Sequence, residues 1–366
     1  MITSAYVHVP FCASICAYCD FTRWLYQPAL CARWLQQLAA ETSAKLQGPL
    51  KTLYIGGGTP SVLERGQLDA LLSIFDPYAG EIQEYTMEAN PESLDAGKIA
   101  IAKKHGVNRI SLGVQSFDPA LLRRMNRRHD VSDVGRCLHD LLEAGITNVS
   151  ADLIYGLPEQ SMAQWQEDLR LAAQLPFSHL SLYSLTIEEH SLFGVQGVKQ
   201  ADDELEYAMY AYAIDFLKEH GYIQYEIANF ARDGLRSMHN QVYWRYEDFH
   251  GIGCGASGKE AWGRYDNTRS LQEYIACGPC PQRIELDDRE QMFEMLMMGL
   301  RLREGMSLRH FEERFHMRAE EAFPAAMASH LGKDLFEEEG CLRVSEEGKF
   351  ILNDILIEWL VFFRRS

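Results

Sequence analysis

The 366-residue chain has no apolar run close to the eighteen or so residues needed to cross a bilayer. The longest candidates, near Gln291–Leu300 and Ile351–Phe363, are interrupted by Glu294 and by Asn353, Asp354 and Glu358. No charged head followed by an apolar stretch opens the chain, so no signal peptide is expected and the expected location is cytoplasmic. Positive charge is scarce: 35 Lys and Arg stand against 52 Asp and Glu, a net −17. Such a chain repels phosphate backbones, which argues against general nucleic-acid binding. There is no low-complexity segment and no fixed repeat of the solenoid kind. With 47% hydrophobic and 24% charged residues, the composition excludes a wholly disordered chain, a collagen and a coiled-coil rod. At roughly 150 residues per domain, the length suggests two domains or one barrel with an appendage.

What is present is an alternation. Short β-rich runs at Tyr6–Val9, Thr52–Ile55, Glu84–Glu88, Arg109–Leu112, Asn148–Ile154 and His179–Leu185 are separated by helical stretches, with Tyr222–Ile227 as one more candidate strand. A helix is expected from about Ser61, another from an N-cap at Ser93 to Gly106, and a third opened by Asp118 and Pro119. Alternating β and α over some 220 residues implies a parallel sheet, best satisfied by a full or partial (β/α) barrel with its chemistry at the C-terminal strand ends. After Gly278-Pro-Cys-Pro281 the texture changes to helices rich in Met, Leu, Glu and Arg, with a short strand near Leu342–Ser345. The expected division is a core barrel over residues 1–280 and a small, mostly helical, winged-helix-like domain over 281–366.

Nine cysteines without an export signal point to a reducing compartment, where clustered thiols are more often metal ligands or redox groups than disulfides. Three fall within eight residues, Cys12, Cys16 and Cys19, directly after the first strand. A structural zinc site normally takes four ligands, and no further His or Cys stands at zinc-finger spacing. Three thiolates suit an iron–sulfur cluster with one iron left open. A zinc-binding barrel is the bland alternative. Cys31, at helical spacing with Leu35 and Leu38, and Cys137, beside Leu138 and Leu141, read as helix core. Cys277 and Cys280 have thioredoxin-type spacing but sit in a Gly/Pro-rich linker, and read as incidental thiols.

The run Tyr6-Val-His-Val-Pro-Phe-Cys12 with the cysteine spacing that follows resembles the radical S-adenosylmethionine (SAM) superfamily. In particular it resembles the branch holding oxygen-independent coproporphyrinogen III oxidase and the HemW-type heme chaperones. Further matches are Gly56-Gly-Gly-Thr-Pro-Ser61, Glu88-Ala-Asn-Pro91, Gly113-Val-Gln-Ser-Phe117, Asn126-Arg127 and Asp152-Leu-Ile-Tyr-Gly-Leu-Pro158. They run from residue 5 to about 260. The resemblance implies a [4Fe–4S] cluster on Cys12, Cys16 and Cys19, and SAM bound at its open iron. It implies SAM contacts from Gly57, Gly58, Thr59, Glu88, Gln115, Arg127 and Asp152, flanked by the aromatic rings of Tyr6 and Tyr18. The glycine-rich stretch Gly251–Gly258 is expected to close the same site.

Two departures separate the relatives. The oxidase has a fourth cysteine where this chain has Phe21, and a long N-terminal extension where this chain has five residues before Tyr6. The chaperone branch instead carries a His-Asn-x-x-Tyr-Trp element, present as His239-Asn-Gln-Val-Tyr243-Trp244. Histidine is a common axial ligand of heme iron, and Tyr and Trp offer flat apolar faces, so the resemblance implies heme contact at His239. The expected function is a heme chaperone delivering heme to acceptor hemoproteins, membrane-associated respiratory proteins among them; the alternative is a coproporphyrinogen oxidase or another radical porphyrin-modifying enzyme. The run Ile355–Phe363 with Arg364 and Arg365 permits surface contact, although a packed terminal helix is the favoured role.

Overall fold

The structure, a computed structural model, describes residues 1–232 and 234–365, with side chains described up to residue 360. Six strands lie at its centre: β1 (Ser4–Val9), β2 (Thr52–Gly57), β3 (Glu84–Ala89), β4 (Arg109–Gln115), β5 (Asn148–Tyr155) and β6 (His179–Ser184). Each pairs in parallel with the next, so all six C-terminal ends open on one side. The sheet does not close on itself. His250–Ile252 adds in parallel beyond β1, while Asn229–Ala231 and then Ile223–Gln224 add antiparallel beyond β6. The fold is therefore a partial (β/α) barrel. The expected strand at Tyr222–Ile227 shrinks to Ile223–Gln224, because the Glu226 carboxylate accepts from Ala228 N and Asn229 Nδ2 and bends the chain into a hairpin.

The strand period of two sorts the residues of β1. Ala5, Val7 and Val9 are fully buried in the core with Cys31, Trp34 and Leu38 of helix Pro28–Lys45, while Tyr6 and His8 face the barrel interior. Cys137 is likewise in this core. Caps set the helix starts. Asp118 accepts from Ala120 N and Leu121 N ahead of Pro119, as expected; Ser161 and Gln164 form a reciprocal box. Two starts differ from expectation. The helix expected at Ser61 begins at Arg65 after a single tight turn, Pro60–Val62. The cap expected at Ser93 is Asp95, whose carboxylate accepts from Lys98 N, whereas the Ser93 hydroxyl bonds Ser61 Oγ at 2.6 Å.

The barrel's lower mouth is plugged by helix Met238–Trp244, which contains the His-Asn-x-x-Tyr-Trp element. Glu84, buried at the start of β3, accepts from Ser237 Oγ, Met238 N and His239 N at 2.8–3.1 Å and so caps the helix. Past residue 280, Gln282–Glu285 pairs antiparallel with Gly263–Asp266 in a separate three-stranded sheet. A second core follows, built from Leu296, Phe311, Phe323, Leu335, Leu342, Ile355 and Trp359. Its small sheet joins Met306–Ser307, Cys341–Val344 and Leu335–Glu338, the latter two through a turn at Glu339 and Gly340, both at positive φ. Ile355, Leu356 and Trp359 of the terminal helix are buried here; the side chains from residue 361 onward lie outside the described residues. No helix among the described residues is long and apolar enough to cross a membrane.

Candidate functional site

A cavity of about 410 Å³ opens at the C-terminal ends of the strands, within the usual range for small-molecule sites. It is lined by Cys12, Cys16, Tyr18 and Cys19 from the loop after β1, by Gly57, Gly58 and Thr59 after β2, and by Glu88, Gln115, Arg127 and Asp152. Eleven of the thirteen residues singled out from the sequence thus meet in one place; Tyr6 and His239 do not line it.

The cysteine loop is tied down at both ends. Trp24 N donates to Pro10 O and Tyr26 N to Cys12 O, at 2.8 and 2.9 Å. Between those ties, Ala17 N donates to Met125 O and the Asn126 amide to Ile15 O. Cys12 is buried; Cys16 and Cys19 are half-buried. Donors approach two of the sulfurs: Thr59 Oγ1 lies 3.8 Å from Cys12 Sγ, and Arg127 Nη1 lies 3.7 Å from Cys16 Sγ. Burial pushes the Cys12 thiol up to about 12 and raises Cys19, which favours the neutral thiol at both positions in the metal-free chain. Among the described residues no three side chains stand at metal-ligating spacing. The three thiols share one wall of a cleft, and their soft sulfur chemistry with hydrogen-bond donors behind it fits an iron–sulfur centre.

The glycine run works differently from a cradle of free N–H groups. Gly58 N donates to Val9 O, Thr59 N to Phe11 O and Gly57 N to Glu88 Oε2. Gly57 sits at φ +104°, and a Cβ on Gly58 would stand 2.6 Å from Phe11 O. These residues are glycine because the end of β2 must press against the entry to the cysteine loop. The N–H groups of the run are thus engaged within the protein and are not free for a ligand.

Carboxylates outnumber guanidiniums on the walls: Asp20, Glu88, Asp152 and Glu188 against Arg23 and Arg127. Glu88 accepts from Tyr54 Oη at 2.8 Å; burial pushes its carboxyl up to about 7. Asp152 accepts from Ser111 Oγ, and burial raises it too. Arg127 Nη2 donates to Asn90 Oδ1 at 2.9 Å and to the Gly113 carbonyl, which fixes the guanidinium across the cleft floor. Gln115 sits at φ +66°, beside a register shift between β4 and β5. Such strain persists where the surroundings over-determine a functional position. Sequence reasoning missed Asn90, Tyr54 and Tyr183, which also line the cavity. Asn90 stands two residues after Glu88 and shares its face by the strand period, a signal that was available.

Tyr6 lies one layer behind the wall. Its ring stands 6.0 Å from Tyr54, and its hydroxyl pairs with His8 Nδ1 at 3.0 Å. The His239 expectation needs correcting. The side chain is fully buried, its ring stacks on Tyr54 at 5.4 Å, Nδ1 pairs with Thr52 Oγ1 at 2.9 Å and Nε2 with Tyr243 Oη at 2.8 Å. Burial lowers its pKa to about 3, keeping it neutral. With both nitrogens engaged inside the barrel, His239 braces the plug and offers no ligand atom. Residues Gly251–Gly258 also fall elsewhere. Gly253 packs against His8 O and Gly255 against Thr22, so the stretch seals the β1 edge and lines no part of the cavity.

One pH effect follows. Burial holds Glu88, Asp168 and Glu226 near 7, above their ordinary values, so the folded chain binds these protons more tightly than the unfolded one. The stability they contribute is complete below about pH 4 and is lost as pH rises through about 7. The urea midpoint of the ligand-free protein should fall between pH 5.5 and 8. Asp168→Asn, at a carboxyl that accepts from Phe117 N and Ser116 Oγ, should flatten part of that slope; an unchanged slope would remove Asp168 from the account.

Comparisons with known proteins bear on the fold and the family. Residues 6–172 match the Radical SAM superfamily and residues 286–351 the HemN C-terminal domain. The solved structure of coproporphyrinogen III oxidase (HemN) from Escherichia coli, described as a radical SAM enzyme, superposes with a TM-score of 0.83 over 97% of this chain and 89% of that one, at 22% identity. The fold is thus that of a radical SAM protein with a HemN-like C-terminal unit. Proteins named heme chaperone HemW from Lactococcus lactis and Bacillus subtilis are 36% and 34% identical over 96% of this chain and 98% and 97% of their own lengths. The one from Escherichia coli is 32% identical over 96% of this chain and 97% of its own. The chain belongs to the HemW-type heme chaperone family of the radical SAM superfamily.

Proposed function

We propose that the protein binds heme and passes it to acceptor hemoproteins in the cytoplasm or at its membrane face. In this reading Cys12, Cys16 and Cys19 hold a [4Fe–4S] cluster and the adjoining cleft holds SAM. The observation that carries the cofactor reading is the meeting of the three cysteines with Gly57, Glu88, Arg127 and Asp152 around one cavity. When bound, the cluster supplies a low-potential electron and an open iron position for SAM.

The chain's own residues would divide the work. Glu88 accepts from an ammonium, Arg127 grips a carboxylate, and Asp152 accepts from ribose hydroxyls. Tyr18 and Tyr54 offer aromatic surface. Thr59 and Arg127 direct hydrogen-bond donors at sulfur, which favours thiolate over thiol. Phe21, 64% exposed on the rim, stands where the oxidase has its fourth cysteine and offers apolar area in place of a ligand.

The chaperone reading is supported over the oxidase reading by the full-length similarity to proteins named heme chaperones, whereas the oxidase likeness concerns the fold. Anaerobic reconstitution with iron and sulfide, followed by heme titration, transfer to an apo-hemoprotein and a coproporphyrinogen decarboxylation assay, tests it. The expected result is a reducible cluster perturbed by SAM, heme uptake and transfer, and no decarboxylation. Decarboxylation at enzymatic rates without heme transfer would install the oxidase reading instead.

A further inference from the structure

The main cleft is lined by no histidine, and the motif histidine is sealed inside the barrel. A heme carrier still needs an iron ligand. Among the described residues, eight of the twelve histidines have a ring nitrogen in a hydrogen bond or ion pair: His8, His105, His129, His179, His220, His239, His250 and His330. Three more, His139, His190 and His316, stand on open surface. His310 differs from both groups. It is half-buried on the wall of a second cavity, and its ring has no partner among the described residues.

This crevice lies between the end of the plug helix and the C-terminal unit, and Trp244, Met295, Met306 and Cys341 share its walls with His310. Trp244 is the last residue of the His-Asn-x-x-Tyr-Trp element, and its indole Nε1 is buried without a partner. The motif therefore spans two sites: its histidine braces the barrel and its tryptophan faces the crevice. Arginines collect at the same place. Arg236 and Arg245 share the single carboxylate of Glu304 at 3.3 and 2.9 Å, and Arg301 lies over the Trp244 ring at 5.8 Å. On a chain of net −17, this is a local cationic rim beside an apolar slot, complementary to a planar apolar ring carrying two carboxylates.

We propose that the heme edge enters this crevice against Trp244, with His310 as the iron ligand and Arg236 and Arg245 facing the propionates. The inference rests on the heme-binding reading above and gives it a location. The free volume is only about 90 Å³, so in this proposal one edge of the macrocycle enters and the iron sits at the mouth beside His310. That is a fitting hold for cargo that must be handed on.

The test is heme titration of the full-length protein, followed by the Soret spectrum. His310→Ala and the size-matched His310→Gln should each weaken binding by about tenfold and lose the imidazole-ligated spectrum, with added imidazole restoring it. His239→Gln should retain that spectrum with affinity within about twofold of the unaltered protein. An unaltered protein that takes up no heme would defeat the function proposed above. Uptake by the unaltered protein with an unchanged spectrum in both His310 variants, or loss in His239→Gln alone, would overturn this assignment and leave that function standing. Failure of imidazole to restore the spectrum would likewise count against His310 as the ligand.

Discussion

Replacing any one of Cys12, Cys16 and Cys19 with alanine should leave the reconstituted protein without a stable cluster, read as loss of bound iron and sulfide and of the reduced EPR signal. Each thiol is one of three candidate donors on the cleft wall, so no spare ligand compensates. The matched controls are Cys31→Ala and Cys137→Ala, at sites fully buried in the barrel core. These should keep their iron and lose roughly 1 kcal/mol of stability as small core truncations. Retention of a full cluster in all three loop variants would end the metal assignment. Equal loss in the core variants would show that iron content was reporting folding. Without metal, Cys16→Ala and Cys19→Ala should unfold at nearly the same denaturant concentration as the parent, while Cys12→Ala, at a buried thiol, should lose roughly 1 kcal/mol.

The second large effect concerns stability. Glu84→Ala should destabilise the protein by about 2–4 kcal/mol, because three donors buried at the start of the plug helix lose their acceptor together. Glu84 is 3% exposed, so water is poorly placed to replace it. Glu84→Gln keeps one acceptor oxygen in place and should cost less. The readout is the urea midpoint of the metal-free protein together with amide exchange in residues 238–244. Exchange there should quicken before the rest of the barrel opens. Unchanged exchange in that helix would show that the cap contributes little.

Much of the fold was legible because it is written in short-range patterns. Tyr6–Val9 and Arg109–Leu112 show the strand period, and Asp118-Pro119 is a local helix start. The cleft was legible for a related reason. The family resemblance named Cys12, Gly57, Glu88, Gln115 and Asp152, and in a parallel barrel the residues just past each strand share one end, so their meeting could be expected without knowing any distance. The plug was not legible. Its cap is a carboxylate 153 residues away from Ser237, and no periodicity reports a partner at that separation. Helix Met238–Trp244 spans only seven residues, too few for a helical period to show. The hydrogen bonds of the glycine run were not legible either: the N–H groups of Gly58 and Thr59 bond Val9 and Phe11, 49 and 48 residues away in the chain, and no local pattern reports that pairing. The hairpin at Glu339-Gly340 was half visible: Leu342–Val344 reads as a strand, but its glutamate-rich partner Leu335–Glu338 does not.

The ties at the two ends of the cysteine loop have a consequence for biogenesis. Pro10, Cys12, Trp24 and Tyr26 are stitched by main-chain bonds, and those bonds require no inorganic guest. The polypeptide can thus mature first and be loaded afterwards, in contrast to small zinc modules that collapse only around their ion. Between the anchors Ile15 and Ala17 are held as well, by Asn126 and Met125, so the loop's course is set by the polypeptide along most of its length. Iron-free material should therefore resist proteolysis at Ala13–Asp20; ready cleavage there would show that these main-chain ties do not fix the loop by themselves.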